Sequence, residues 1–145
     1  MEEPVLHSKR HVAVYVAYRR SPNGTFEFFL QKRDMNAPTH PGIFSMFGGG
    51  TEDEEDPRAA LMREVKEELC YEPKDPLYLM KCERSVAVFY VFIEAVGQNF
   101  ERLVDVQEGE YGKFLTLGDM QKTEVSAIAR LITTDISEWL MGSGQ

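Results

Sequence analysis

The chain is expected to fold as an α+β (α/β) domain, with helices packed on a mixed β-sheet, and three observations lead there. Apolar stretches with strand periodicity occur in both halves of the sequence, a proline-led amphipathic stretch separates them, and a second amphipathic stretch closes the chain. The 145 residues, 43% hydrophobic and 28% charged, suit one domain spanning 1–145, with loose ends expected at 1–9 and 142–145. No internal repeat or low-complexity block divides it.

His11 to Tyr18 sets Val12, Val14 and Val16 on one face and Ala13, Tyr15 and Ala17 on the other. A strand apolar on both faces belongs in the middle of a sheet. Ser21-Pro22-Asn23-Gly24 supplies a fixed φ and tolerance of positive φ, so it is a turn. Phe26 to Lys32 alternates Phe26, Phe28 and Leu30 against Glu27 and Gln31 and closes a hairpin. Residues 34–42, with Pro38 and Pro41, read as loop, and the short apolar run Ile43 to Phe47 enters Gly48-Gly49-Gly50. Asp56-Pro57 is an N-cap followed by proline at the first helical position, where its missing N–H costs nothing. Leu61, Val65 and Leu69 then form one apolar face. Leu77 to Cys82, Ser85 to Val96 and Phe114 to Leu117 read as strands. Thr123 to Leu140 reads as the last helix, striped by Val125, Ile128, Ile132, Ile136 and Trp139. Met35, Met46 and Met62 are expected to fill gaps in the core.

Sixteen Lys and Arg against 24 Asp and Glu give a net charge of −8. So acidic a chain is a poor general binder of nucleic acid, whose phosphates call for a surplus of cations. No apolar run is long enough to span a bilayer, and the first residues lack the pattern of a secretory signal. Cys70 and Cys82 make neither a disulfide framework nor a zinc site, and the expectation is two reduced thiols in the cytoplasm.

Charge is concentrated between Gly49 and Tyr71, where eight acids meet three bases, leaving −5 of the chain's −8. Glu64, Glu67 and Glu68 stand at i, i+3 and i+4, so their carboxylates share one helix face and repel by a few tenths of a kcal/mol per pair (about 0.2–0.5). A solvated Glu-rich face explains most such helices. The preceding glycines change the balance, because they let the backbone approach a ligand closely. Clustered carboxylates are the oxygen donors that a hard divalent cation takes.

Gly49, then Glu55, then Arg63-Glu64-Val65-Lys66-Glu67-Glu68 resembles the signature box of the Nudix hydrolases, G-x5-E-x7-R-E-U-x-E-E-x-G-U, where U is bulky and apolar. Gly49, Glu55, Arg63, Glu64, Glu67 and Glu68 hold fixed positions of that pattern, and Val65 and Tyr71 fit its apolar ones. Cys70 departs from it, standing where the family has glycine just past the helix end; a left-handed φ there costs cysteine about 1 kcal/mol, unless the turn takes another shape. The resemblance covers most of the chain and implies a Nudix-like α/β/α sandwich.

It also implies roles. Glu64, Glu67 and Glu68 would bind Mg2+ or Mn2+, with the Gly48 carbonyl as a further ligand. Arg63 would pair with Glu55 and hold the helix against the loop. Glu108-Gly109-Glu110 resembles a loop in which the family places another acid; Glu108 is the better candidate for metal binding or catalysis, and Glu110 the alternative. Glu64, Glu68 and Glu108 all stay open as the base that activates water. The implied substrate is a small nucleotide or nucleoside diphosphate derivative, cleaved at its diphosphate linkage. Arg33 would contact substrate, and Phe44 and Phe47 would border the nucleobase. Lys32, Arg19 and Arg20 are expected to be solvated, and His7, His11 and His40 carry no pattern. Many relatives dimerise, so a homodimer is part of the same expectation. An inactive fold-alike that only binds nucleotide or protein is the alternative, though such relatives normally lack box carboxylates. A diphosphate isomerase would need a cysteine beside a histidine-rich metal site, and a calcium loop its D-x-D-x-D-G motif; this sequence has neither.

Overall fold

The computed structural model describes residues 9–38 and 41–143; His7, His40 and nearly all of the expected N-terminal loose end lie outside them. The strands are β1 (Arg10–Arg20), β2 (Phe26–Lys32), β3 (Phe44–Ser45), β4 (Phe47–Gly50), β5 (Leu77–Glu83), β6 (Ala87–Ala95) and β7 (Tyr111–Thr116). The helices are α1 (Pro57–Leu69), α2 (Phe100–Leu103), α3 (Leu117–Met120) and α4 (Ala127–Gly142). One seven-stranded mixed sheet runs β3-β2-β1-β6-β5, with β4 also on β1 and β7 also on β2. β1 pairs parallel with β6 from Arg10↔Ala87 to Tyr18↔Ala95. Its other edge is shared: Val12 to Tyr15 pair with β4, and Tyr18 to Arg20 with β2.

Both faces of β1 are covered, as its alternation predicts. Val12, Val14 and Val16 join Phe28, Leu30, Val91 and Ile93 beneath Ile132, Ile136 and Leu140 of α4. Ala13, Tyr15 and Ala17 join Phe29, Phe47, Phe92 and Phe114 beneath Leu61, Val65 and Leu69 of α1. The result is a three-layer α/β/α sandwich, with α1 and α4 on opposite faces.

Several local expectations need correction. Thr123 to Ser126 is not helical, because Phe44 N–H donates to the Glu124 carbonyl and Ser126 N–H to the Phe44 carbonyl. The helix therefore starts after Ser126, whose hydroxyl accepts from Ala129 N–H. Trp139 lies off the buried stripe and is 40% exposed, while Ala129 and Leu140 complete that stripe. Helix α4 includes Gly142, inside the expected loose end. β7 begins at Tyr111, which pairs with Lys32, and the Phe29 ring covers the position of a Gly112 side chain, so this glycine leaves no gap in the strand. Leu117 starts α3, capped by Thr116 and Asp119 reciprocally. Met35 is 70% exposed, its sulfur lying against Gly42 outside the core, whereas Met46 is buried. Arg19 is not solvated: it bonds Glu27 at 2.7 Å and Glu101 at 2.8 Å, and its guanidinium lies over Phe114.

A buried carboxylate ties the exit of α1 to the sheet. Glu94, 7% exposed, accepts from Tyr15 Oη at 2.5 Å, Asp75 N–H at 2.7 Å and Tyr71 Oη at 3.4 Å. Burial, then the Glu94 carboxylate, pushes the Tyr15 phenol well above its ordinary range. Glu94→Gln would keep one acceptor oxygen but turn an amide N–H2 toward one of these donors. We expect a loss of about 1–3 kcal/mol in denaturant unfolding; an unchanged midpoint at unchanged m-value would show that the amide is accommodated.

Candidate active site

Helix α1 is fixed at both ends by the residues that the sequence marks. The Asp56 carboxylate accepts from Ala59 N–H at 2.8 Å, with Pro57 at the first helical position. At the other end Cys70 adopts the left-handed conformation, φ 50° and ψ 42°, its N–H donating to the Lys66 carbonyl. The departure from glycine is thus accommodated by strain and not by a different turn. Cys70→Gly is expected to stabilise the protein by about 1 kcal/mol in denaturant unfolding, and an unchanged midpoint would mean that the cysteine carries no strain.

Between these ends the acidic face of α1 meets β4. Gly49 lies against Glu64: a Cβ there would fall 2.4 Å from the Glu64 carboxyl carbon. Gly48, at φ 139°, leaves no room for a side chain, since its Cβ would fall 2.1 Å from the Ala13 carbonyl oxygen. Its amide donates to Glu68 Oε1 at 2.8 Å. The glycines therefore bring backbone against two carboxylates at once.

Arg63 organises the other side. Its Nε and Nη2 donate to the two oxygens of Glu55 at 3.0 and 2.9 Å, its Nη2 also to the Gly50 carbonyl at 3.1 Å, and its Nη1 to Glu64 Oε1 at 2.8 Å. The Arg63–Glu55 pairing is present as the box resemblance implies. Hydrogen bonds from Arg63, joined by the Glu52 backbone amide, hold the Glu55 carboxyl down at about 2. The same contact with Glu55, joined by Glu64, raises the Arg63 guanidinium further.

Glu68 is 4% exposed. Burial pushes its carboxyl up to about 10, reinforced by a hydrogen bond and charge repulsion from Glu108 and by the charge of Glu64; the Gly48 amide opposes this in part. Glu108 comes from the loop before β7, and the backbone sets its approach: Gln107 N–H donates to the Glu68 carbonyl at 2.7 Å, and Asp105 N–H to that of Leu69 at 2.8 Å. The structure thus brings Glu108, and not Glu110, against Glu68. Glu67 projects outward on the same helix and is 61% exposed at its side chain.

The oxygen-only donor set of Glu64, Glu67, Glu68 and Glu108 fits a hard dication, and the abutting Glu68 and Glu108 carboxylates leave charge for one to neutralise. Among the described residues no three acidic, histidine or cysteine side chains already surround a common point. Arg63 bonds Glu64, and Gly48 engages Glu68 through its N–H.

Glu108 also borders a cleft of about 400 Å³, with Gln31, Arg33, Asp34, Asn36 and Glu110 along it. Arg33, expected to contact substrate, lines this cleft with Glu108 and Glu110. Gln31 at the end of β2, and Asp34 and Asn36 in the proline-bearing loop, also line the cleft, and neither the strand nor the loop pattern singled them out. Phe44 and Phe47, expected to border the nucleobase, are both buried, Phe47 stacked on Phe29 at 5.4 Å in the α1 core and Phe44 in the α4 core. A larger groove, about 1080 Å³, lies at the far end of β2 between the Ser21–Thr25 turn and Thr116–Asp119, and none of the box residues lines it.

The fold is a sheet sandwiched between helices, with a glycine strand feeding a carboxylate-bearing helix whose acids meet a further one from a distant loop. The NUDIX domain model matches residues 9–135, and the chain belongs to that family. Its fold is similar to the NUDIX domain of Shewanella oneidensis NrtR, solved with ADP ribose, at TM-score 0.75 and 15% identity over 96% of this chain and 94% of that one. It is also similar to a Caenorhabditis elegans Ap4A hydrolase, at TM-score 0.66 and 21% identity over 90% and 98%. A MutT/nudix family protein from Enterococcus faecalis matches at TM-score 0.64 and 13% identity over 80% of this chain, which spans 47% of that longer one. At these identities the likeness is one of fold. No curated protein sequence matches the chain significantly. No helix among the described residues is long and apolar enough to cross a membrane.

Proposed function

We propose that the protein is a Mg2+- or Mn2+-dependent hydrolase that cleaves the diphosphate linkage of a nucleotide or nucleoside diphosphate derivative. The observation that carries this reading is the meeting of Glu68 and Glu108, forty residues apart in sequence, beside the glycines of β4. Two carboxylates forced together cost stability, and a diphosphate would be repelled from them unless dications lay between. Glu64, Glu67, Glu68 and Glu108 would hold the metal. Bound there, it would supply charge neutralisation, polarisation of a phosphoryl oxygen and a lowered pKa for water.

The chain's own groups do the rest. Arg63 holds Glu64 in place and braces α1 against the Glu55 loop. The Gly48 amide orients one oxygen of Glu68. A carboxylate of the Glu68–Glu108 pair accepts the proton of the attacking water, while the bridging P–O bond breaks to give two phosphate products. Arg33, in the adjoining cleft, contacts the substrate's phosphates or base. A panel of nucleoside diphosphate derivatives, nucleoside triphosphates and dinucleoside polyphosphates, each with and without Mg2+ or Mn2+, tests the reading by product analysis. Metal-dependent release of monophosphate products from at least one compound is expected; no turnover across the panel with either metal would overturn the proposal.

A further inference from the structure

A second cleft, of about 370 Å³, opens on the α1 side of the sheet between Asp56, Pro57 and Arg58 at the start of α1 and Tyr78, Tyr90 and Phe92 on β5 and β6. None of the box carboxylates or glycines lines it. Its floor is aromatic: Tyr78 lies 5.3 Å from Phe92 and 6.5 Å from Tyr90, ring centre to ring centre, and the His11 ring stacks on Tyr90 at 5.8 Å. Tyr78 is 45% exposed, so much of that floor is open. The Arg58 guanidinium sits over Phe92 at 5.3 Å, and Lys81 is the cross-strand partner of Tyr90, on the same side of the sheet.

The charges decide what such a floor would take. Among the described residues neither Arg58 nor Lys81 forms an ion pair, on a chain where acids outnumber bases 24 to 16. The carboxylate at the cleft, Asp56, is occupied in capping α1. An inorganic anion would meet the cations and leave the rings unused, and an apolar peptide would do the reverse. A planar ring joined to an anion satisfies both. We propose that this cleft binds a nucleotide, its base stacked on Tyr78 and its phosphate held by Arg58 and Lys81. The site is distinct from the carboxylate centre and does not depend on hydrolysis there.

NMR titration of the metal-free protein with AMP tests this. Saturable shifts at Arg58, Tyr78, Lys81 and Tyr90 are expected with a dissociation constant in the millimolar range, weakened about fivefold or more by Tyr78→Ala and also weakened by Arg58→Gln. Adenosine should reproduce part of the pattern, and inorganic phosphate should fail to reproduce the ring shifts. Both substitutions are at exposed positions, and dispersed spectra would verify their fold. Shifts confined to residues 48–50 and 108, no shift up to about 10 mM AMP, or the full pattern with phosphate alone would each overturn the proposal. Because the readout is binding at named residues without metal, its failure is separable from a failure of the hydrolase reading.

Discussion

Glu68→Gln is expected to lower kcat by about 100-fold or more while leaving the fold intact. The substitution is isosteric and keeps an oxygen to accept from the Gly48 amide, so β4 stays in place. What it removes is a carboxyl that can ionise against a dication or exchange the water's proton, and losses of this size are typical of such terms. Stability should rise or stay the same, because burial and Glu108 hold the parent carboxyl protonated against its ordinary tendency to ionise, a cost that a neutral amide does not carry. A fall in activity with an unchanged or raised unfolding midpoint is therefore the expected signature, measured by steady-state kinetics and denaturant unfolding of the same preparation. Turnover within a few-fold of the parent would remove Glu68 from the chemistry.

Gly49→Ala should cost about as much through geometry alone. The added Cβ would lie 2.4 Å from the Glu64 carboxyl carbon and 2.6 Å from each of its oxygens, so the carboxylate must swing out of place. Doing so breaks its 2.8 Å bond to Arg63 and moves a candidate metal donor by an ångström or so, a displacement that lowers rates by about 100-fold in well-ordered sites. Gly142→Ala, with nothing within 4 Å of its Cβ, is the control and should leave kcat unchanged. Normal kcat in Gly49→Ala would mean that Glu64 has slack and that the close approach is incidental.

How legible the molecule was depends on what kind of signal each part leaves. β1 was readable because burial on two faces forces apolar residues at every position from 12 to 17, and α1 because its cap, its proline and its 3.6-residue stripe agree. The box glycines and acids were readable because their chemistry fixes both residue type and spacing. The start of α4 was not: Val125 continues the helical stripe in sequence, yet backbone pairing with Phe44, a contact no local pattern reveals, holds residues 124–126 extended. Phe44 and Phe47 show a related ambiguity, since an aromatic ring beside a glycine loop serves a core as well as a ligand. Of the cleft residues, Gln31 reads only as part of the alternation of β2 and Asp34 and Asn36 follow no period; the return of the 105–110 loop places them beside Glu108.

The parallel pairing of β1 with β6 has a bearing on how the molecule assembles. Arg10 and Ala87 are joined by a stretch that contains β2, β3, β4, α1 and β5, so the central ladder closes only after a long excursion has been gathered in. Gathering it sacrifices chain entropy before any contact repays it, which makes such closures slow. The loop bearing Glu108 lies further on still, beyond β6. On refolding, the competence to hold a cation should therefore emerge with the final rate-limiting phase, well after helical signal has been regained.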